Sequence, residues 1–292
     1  MKKSLSSKLC LISSMTVFGT IGVFVRHISV PSSVLAMIRG FVGMFFLLAI
    51  MFATRKKISF SEIKKKAVPL FISGGFIGIN WILLFESYRY TTVATATLCY
   101  YLAPIFVILA SPIFLKEKMT AKKLICVFTA LMGMIFVSGI NDISKISFSS
   151  EIKGILFGVG AAIFYASVVL LNRGLKDVPT YDKTFIQLGS AAIVILPYTL
   201  LTENLGLLDF STKTVILLLV MGIVHTGISY ALYFNAIGNI PSHTVAIFSY
   251  IDPIVAIILS ALFLNEPMGI AEIIGAVLIL GAAFISELPD KK

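Results

Sequence analysis

The sequence predicts an all-α membrane protein of ten transmembrane helices, arranged as two inverted five-helix repeats. Of its 292 residues, 58% are apolar and only 13% are charged, whereas soluble domains carry about 25% charged residues. Ten long apolar runs divide the chain, and its two halves match each other when they are offset by 149 residues. These observations favour a lipid bilayer as the surroundings of most side chains.

The apolar runs are long enough to cross a bilayer as helices. A membrane helix needs roughly 20 mostly apolar residues, and these runs do not alternate as the strands of a barrel would. The first run is long for a signal peptide and lacks a small-residue cleavage site, so we expect an uncleaved helix. The predicted spans are 9–28, 33–53, 68–88, 92–115, 122–140, 153–172, 183–201, 213–236, 242–264 and 268–287.

The basic residues predict the orientation of these spans. Lys and Arg crowd into alternate loops, above all in residues 55–57, 64–66 and 116–123, and basic loops stay on the cytoplasmic side. We therefore expect a multi-pass protein of the cell (cytoplasmic) membrane with both termini in the cytoplasm. The net charge of +10 lies in these short clusters and not on one soluble face, which argues against a nucleic-acid partner.

The offset of 149 residues brings the same residue types into register in the two halves. Among the matched pairs are Tyr101 with Tyr250, Pro104 with Pro253, and Glu117 with Glu266. Each unit, 1–145 and 146–292, holds five spans, and an odd number turns the second unit upside down in the membrane. Inverted repeats of this kind build secondary transporters whose site lies near the midplane.

Two matched segments, APIFVILASPIFLKE and DPIVAIILSALFLNE, resemble those of the EamA-like family of the drug/metabolite transporter superfamily. Arg39 in the second span and Asn80-Trp81 in the third strengthen the resemblance, which covers essentially the whole chain. It implies a ten-helix inverted repeat with a cavity lined mainly by the third, fourth, eighth and ninth helices. It also implies outward movement of amino acids, related metabolites or drugs, and an acid before the ninth-helix proline, which Asp252 matches.

The chain departs from the pattern of that family at two places. Phe18-Gly19 stands where relatives often have Trp-Gly, and Glu86 stands where they usually have an apolar or aromatic residue. Both departures affect the expected cavity, so the substrate cannot be inherited from the resemblance.

Asp252 is the leading candidate for the site. It lies near the centre of the ninth span, where a charged Asp costs roughly 2.5–3.5 kcal/mol. Pro253 has no N–H, which frees the carbonyl of Ser249, and Ser249 shares a helix face with Asp252. The functional interpretation is a substrate-binding and proton-coupling carboxyl group facing a wet cavity. The structural alternative is a buried acid paired with Arg39 or with a tyrosine hydroxyl.

Aromatic residues lie at the same depth in the other half. Pro104 is expected to interrupt the fourth span, and Tyr100 and Tyr101 precede it, with Tyr250 as the repeat mate of Tyr101. Their rings could bind a cation or a planar solute, or they could simply pack. Arg39 could bind a substrate carboxylate; a structural ion pair or snorkelling to the interface is the favoured alternative.

Four further residues are candidates for the cavity. Glu86 is a possible proton carrier, although a local pair with Arg89 is the simpler interpretation. Of the two faces of the third span, we expect the one with Asn80 to line the cavity, and Trp81, on the other face, is retained as a weaker candidate. His225 in the eighth span is expected to bond a hydroxyl or carbonyl group, with a proton relay to Asp252 as the alternative.

Some conspicuous residues are expected to be structural. Gly74-x3-Gly78 and Gly154-x3-Gly158 should let helices approach closely. Glu117 and Glu266 should favour the starts of the helices that follow them. Tyr165 and Asn172 are weaker site candidates.

The predicted function is a secondary transporter for a small molecule, most simply a proton-driven exporter, and not an enzyme. No phosphate-binding motif is present that would let ATP drive it. Three cysteines and three histidines have no metal-ligand spacing, so no cofactor or metal is expected. Membrane lipid is the expected surrounding, and the protein could be a monomer or a homodimer. Two alternatives stay open at this point: a membrane enzyme acting on a lipid or prenyl substrate, and a sensor that transports nothing.

Overall fold

The structure is a computed structural model that describes residues 2–56, 58–114, 119–137, 150–208, 210–237, 245 and 248–288. Within these residues the secondary structure is entirely helical. In chain order the α-helices are α1 (Lys2–Gly19), α2 (Ile21–Arg26), α3 (Ser32–Ala53), α4 (Phe60–Lys65), α5 (Ala67–Tyr90), α6 (Val93–Tyr100), α7 (Ala103–Phe114), α8 (Ala121–Val137), α9 (Ser150–Arg173), α10 (Thr180–Thr202), α11 (Thr212–Gly222), α12 (Ser229–Ile237), α13 (Ile251–Phe263) and α14 (Ile270–Glu287). A π-helical turn joins α11 to α12, and a short 3-10 helix lies between α10 and α11.

Seven helical segments in the described residues are long and apolar enough to cross a membrane. They are Ser6–Arg26, Ser32–Ala53, Ala67–Tyr90, Val93–Phe114, Glu151–Arg173, Thr180–Thr202 and Thr212–Phe234. The fifth, ninth and tenth predicted spans contain the shorter helices α8, α13 and α14. Much of the ninth predicted span before residue 248, and the end of the fifth after residue 137, lie outside the described residues. The structure is thus a multi-pass helical membrane protein.

The outer surface of these helices is apolar, as lipid requires. Many large apolar side chains are exposed, among them Phe52 at 71%, Ile113 at 78% and Leu201 at 86%. A soluble monomer rarely exposes contiguous apolar surface on this scale. Hydrocarbon is therefore the natural solvent of this surface.

Three of the predicted spans are interrupted. The fourth changes from α6 to α7 through a turn at Tyr101 and Leu102, which ends two residues before Pro104, because proline cannot donate to the preceding turn. The α13 helix likewise begins directly after a turn at Tyr250. The first span breaks at Thr20, between α1 and α2. These breaks place backbone polar groups in the middle of the bundle.

The long helices pack around α5, which contacts α3, α9 and α10. The α1 helix packs against α12 and α13, and α8 packs against α14. Two further contacts join the halves of the chain, because α3 lies on α10 and α6 lies on α13. The interrupted helices α6 and α13 therefore meet directly.

The predicted glycine pairs lie at close helix approaches. A Cβ atom on Gly74 would come within 2.5 Å of the Ser190 side chain, and one on Gly78 would come within 3.0 Å of the Ala191 carbonyl. On α9, a Cβ atom on Gly154 or Gly158 would come within 2.8 Å of the segment that runs from the end of α5 into α6. Small residues thus let α5 approach α10, and let α9 approach α6 and the segment before it.

The loops gather at two ends of the bundle. At one end Arg26 pairs with Glu266 at 2.6 Å, and Glu266 also accepts a bond of 2.9 Å from the backbone N–H of Val93 at the start of α6. Glu266 therefore acts structurally, but it stabilises the start of α6 and not the helix that follows it. Glu117 lies outside the described residues.

The opposite end joins the segment after α3 to the start of α10. The backbone N–H of Ser59 donates to Asp182 Oδ2 at 2.9 Å, and Lys56 Nζ lies 3.3 Å from the centre of the Tyr181 ring. Partial desolvation lowers the pKa of the Lys56 ammonium, while the Asp182 carboxylate acts in the opposite direction.

Candidate functional site

The carboxyl group of Asp252 lies where α6–α7 and α13 meet. The Tyr101 hydroxyl donates to Asp252 Oδ2 at 3.0 Å, and the Ser249 carbonyl lies 3.2 Å from the same hydroxyl oxygen. Asp252, Tyr101 and Ser249 are all half-buried. A side chain from the first half thus binds both an acid and a backbone group of the second half.

Local chemistry explains why the Ser249 carbonyl can accept this bond. It lies four residues before Pro253, so no helical N–H is available to it. The Ser249 hydroxyl does not join the cluster as predicted, because it donates back to the Val245 carbonyl at 2.9 Å. The acid and the free carbonyl therefore come together, and the hydroxyl between them belongs to Tyr101.

Tyrosine rings extend from this point in both directions. Tyr101 lies 6.1 Å from Tyr100 and 6.2 Å from its repeat mate Tyr250, measured between ring centres. Tyr100 in turn lies 5.3 Å from Tyr165, and Tyr250 lies 5.7 Å from Phe284. The result is a continuous aromatic row that carries several hydroxyl groups across the middle of the bundle.

The first helix closes one side of the cluster through Gly19. A Cβ atom there would lie 2.6 Å from the Asp252 carbonyl oxygen and 2.7 Å from Val255 Cβ. Phe18, where the resemblance suggested tryptophan, packs edge-on against Tyr230 of α12. Glycine is therefore required where α1 crosses α13 at the acid.

Arg39 is buried, with 3% of its surface exposed. Its Nε donates to Thr226 Oγ1 at 2.7 Å, and its guanidinium carbon lies 4.4 Å from the centre of the Trp81 ring and 5.6 Å from that of Phe85. The favoured alternative, an ion pair or snorkelling, is wrong. The aromatic rings hold the side chain inside, and no carboxylate of the described residues lies within ion-pair distance.

His225 lies in the π-helical turn and is 1% exposed. Its Nε2 lies 2.8 Å from Thr20 Oγ1, and its Nδ1 lies 3.4 Å from the Val220 carbonyl. The ring thus bonds to a hydroxyl and a carbonyl group, the simpler of its two predicted interpretations. No hydrogen bond in the described part of the chain links it to Asp252, and the hydroxyl belongs to the break in the first helix.

The π-helical turn is stabilised by its own side chains. His225, Thr226 and Ser229 each reach back to the carbonyl five residues earlier, at 3.4, 3.0 and 2.9 Å. The extra residue of a π turn widens the helix, and such turns are frequent at functional sites. Here the turn aims Thr226 at Arg39 and His225 at Thr20.

Comparison with known proteins gives this arrangement a context. A model of the EamA-like transporter family matches the chain twice, at residues 5–139 and 152–287. The chain belongs to the EamA-like transporter family.

The curated relatives of this EamA-like protein agree with that assignment. It is 30% identical over 279 residues to "Uncharacterized transporter YxxF" of Bacillus subtilis (strain 168), covering 95% of this chain and 88% of the relative. It is 24% identical over 277 residues to an "Uncharacterized transporter" of Archaeoglobus fulgidus, covering 94% of each chain. A solved structure titled "Crystal structure of protein" shares the fold, with a TM-score of 0.66, 21% identity and 96% coverage of both chains.

Asn80 does not lie in the cluster of this EamA-like protein, although we expected its face to line the cavity. Its Nδ2 donates to the Ala161 carbonyl of α9 at 2.6 Å, and Ser87 donates to the Gly154 carbonyl at 2.7 Å. Both donors and both acceptors are seven residues apart, so this face of α5 bonds along α9. The opposite face, with Trp81, is the one that reaches Arg39.

Glu86 does not form the predicted pair with Arg89. The Arg89 guanidinium donates to the Val30 carbonyl instead. Glu86 is half-buried near the end of α5, and no hydrogen bond or ion pair holds its carboxylate within the described residues. Its role as a proton carrier stays a prediction.

Several polar residues of the site carried little signal in the sequence. Thr20, Thr226 and Tyr230 belong to apolar runs in which one hydroxyl is unremarkable. A hint was available for Thr226, because His225, Thr226 and Ser229 concentrate polar groups in the middle of the eighth span. No cluster of three His, Cys, Asp or Glu in the described residues could hold a metal ion.

Proposed function

We propose that the chain is a secondary transporter that exports amino acids or related small metabolites or drugs across the cytoplasmic membrane, driven by a proton gradient. The observation that carries the proposal is the Asp252 carboxyl group, held by Tyr101 where the interrupted helices α6–α7 and α13 meet. An ionisable group is expensive in the middle of a span and is a functional candidate by default.

In this mechanism Asp252 binds one cation at a time. When ionised it accepts the cationic group of a solute, and when protonated it has no charge to offer that group. A proton that arrives from outside therefore releases the solute, and loss of that proton to the cytoplasm restores the binding site. The Tyr101 hydroxyl keeps the carboxyl group oriented while its charge changes.

The same proposal includes two inverted five-helix repeats, 1–145 and 146–292. The two matches to the family model support it, as does the contact between the repeat mates Tyr101 and Tyr250. Helix contacts also come in matched pairs, because the third predicted span packs on the sixth and the eighth packs on the first. The boundary between the repeats lies outside the described residues.

The proposed orientation puts both termini in the cytoplasm. It is supported by the gathering of basic residues at the end of the bundle that holds the segment after α3, the start of α8 and the start of α10. Positive loops favour the cytoplasmic side. The proposed partners are a small-molecule solute and the surrounding lipid, with the protein as a monomer or a homodimer and with no enzymatic activity.

The test is solute flux in proteoliposomes that contain the purified full chain. A radiolabelled panel of amino acids and amines is offered with and without a pH gradient. For one-to-one exchange, one pH unit supports roughly tenfold accumulation, since it corresponds to about 1.4 kcal/mol. We expect Asp252→Asn to abolish this accumulation while exchange of labelled for unlabelled solute partly survives.

A matched variant, Glu86→Gln, identifies the proton carrier. Unchanged gradient-driven accumulation in Asp252→Asn, together with its loss in Glu86→Gln, would assign the proton to Glu86. Solute movement that ignores the pH gradient in the unaltered protein would contradict proton coupling.

A further inference from the structure

The guanidinium group of Arg39 has unused donors. Arginine offers five N–H groups, and within the described residues the structure pairs only the one on Nε, with Thr226. The two Nη atoms have no hydrogen-bond partner among the described residues, yet they are not among the fully enclosed side-chain atoms that lack one. Each Nη atom therefore keeps some accessible surface, although the whole residue is only 3% exposed.

The surroundings of Arg39 stabilise its charge without neutralising it. Trp81 and Phe85 present ring faces at 4.4 and 5.6 Å from the guanidinium carbon, and such contacts stabilise a desolvated cation. A charge in the membrane interior normally has an ionic partner. No carboxylate in the described part of the chain supplies one within 4.0 Å.

Arg39 lies near enough to Asp252 to be influenced by its charge, without pairing with it in the described residues. The groups that act electrostatically on the guanidinium are Tyr230, Tyr100, Tyr88 and Asp252. The two opposite charges thus influence each other without forming an ion pair in the described residues, and three tyrosines lie near the guanidinium. A solute between them would meet a cation at one side and an acid at the other.

We propose that the Nη edge of Arg39 is a binding subsite for a carboxylate group of the transported solute. This inference rests on the proposed function and deepens it. The planar fork of N–H donors matches the two oxygens of a carboxylate, and Trp81 forms the wall beneath it. With Asp252 as the second contact, the arrangement selects solutes that carry a carboxylate and an ammonium group at once.

Trp81 makes the subsite directly observable. It is the only tryptophan of the chain and lies against the guanidinium, so its fluorescence reports on the subsite in the detergent-solubilised full chain. The probes are matched sets built on one skeleton: L-leucine, 3-methylbutylamine without the carboxylate, and 4-methylpentanoate without the amine. Equivalent sets are made for the other amino acids of the flux panel.

We expect carboxylate-bearing probes to change Trp81 emission and the amines to bind about tenfold or more weakly. Arg39→Gln should weaken the carboxylate probes by roughly 10- to 100-fold and leave the amines unchanged, in line with loss of charged hydrogen bonds. Arg39→Lys should restore part of this affinity, because it keeps the charge and loses the fork. Arg89→Gln, the same change at an exposed arginine, is the matched control.

Three outcomes would overturn the proposal. The first is that no carboxylate probe changes Trp81 emission up to about 10 mM, a range that detects even millimolar affinity. The second is that Arg39→Gln weakens the binding of amines and of carboxylates equally. The third outcome is that chloride or phosphate changes Trp81 emission and displaces a carboxylate probe as strongly as a second carboxylate probe does. The site would then bind a free inorganic anion and not the carboxylate of a solute.

Flux separates this inference from the proposed function. Binding of carboxylates at Trp81 without any flux would refute transport and leave the subsite standing. Flux that is equal for amino acids and their amines, with Arg39→Gln lowering both alike, would refute the subsite and leave transport standing. Should Arg39→Gln fail to fold, the comparison of Arg39→Lys with the unaltered protein decides, because unchanged affinity for carboxylates would exclude a forked contact.

Discussion

Removing one oxygen atom from Tyr101 tests the central hydrogen bond of the site. In Tyr101→Phe the ring contacts with Tyr100 and Tyr250 remain, while Asp252 Oδ2 and the Ser249 carbonyl lose their shared donor. One hydroxyl hydrogen serves both acceptors, so the loss counts as a single bond to a charged group. Such a bond contributes about 1.5–3 kcal/mol, which corresponds to roughly a 10- to 100-fold effect.

The assay is the initial rate of solute exchange in proteoliposomes, which needs no gradient and, under the proposed function, involves binding and release of solute next to Asp252. We expect Tyr101→Phe to lower this rate roughly 10- to 100-fold, while Tyr198→Phe, the same change on an exposed side chain of α10, leaves it unchanged. If Tyr101 acts through Asp252, Tyr101→Phe combined with Asp252→Asn should be no slower than Asp252→Asn alone. Exchange at the unaltered rate in Tyr101→Phe, or fully additive losses in the double variant, would refute the reasoning.

Three further predictions concern the packing around the site. Gly19→Ala should markedly lower the melting temperature of the detergent-solubilised protein, because the new Cβ atom would lie 2.6 Å from a backbone oxygen. Gly160→Ala, whose Cβ atom would have its nearest neighbour at 3.4 Å, should not lower it. Equal melting temperatures for the two variants would contradict the close approach at Gly19. Asn80→Ala should cost about 1 kcal/mol of stability through its lost bond to α9 and leave the solute preference unchanged, and a changed preference in the flux panel would return Asn80 to the cavity. Glu266→Gln should weaken the junction with Arg26, seen as faster protease cleavage near that end of the bundle, and unchanged cleavage would contradict this role.

The local part of the site follows from spacing along single helices. Asp252, Ser249 and Pro253 lie within one helical turn, so their common location and the free carbonyl are properties of that segment alone. The partner of this cluster, Tyr101, is placed by the crossing of α6 and α13, which depends on the whole bundle. Sequence could therefore name both participants without predicting which hydroxyl joins the acid.

The surroundings of Arg39 could not be predicted from the sequence. From the sequence alone, an arginine within a span is expected either to pair with an acidic residue or to extend to the membrane interface. The structure uses a third, in which Trp81 and Phe85 on the next span flank the guanidinium and Thr226 arrives from the other half. The π-helical turn aims Thr226 at Arg39, and because such turns are rare, a regular helical pattern for the eighth span does not predict this contact.

The bond between Tyr101 and the Ser249 carbonyl also ties the two interrupted helices to each other. A helix that satisfied all its own carbonyls could slide past its neighbour at little cost, whereas here separation strips a carbonyl of its only described partner. An unpaired carbonyl away from water costs about 1–3 kcal/mol, unless a hydrogen-bond donor of a bound solute replaces the Tyr101 hydroxyl. In the proposed transport cycle, this cost disfavours separation of the two helices when no solute is bound, and so disfavours proton movement that is not coupled to solute movement.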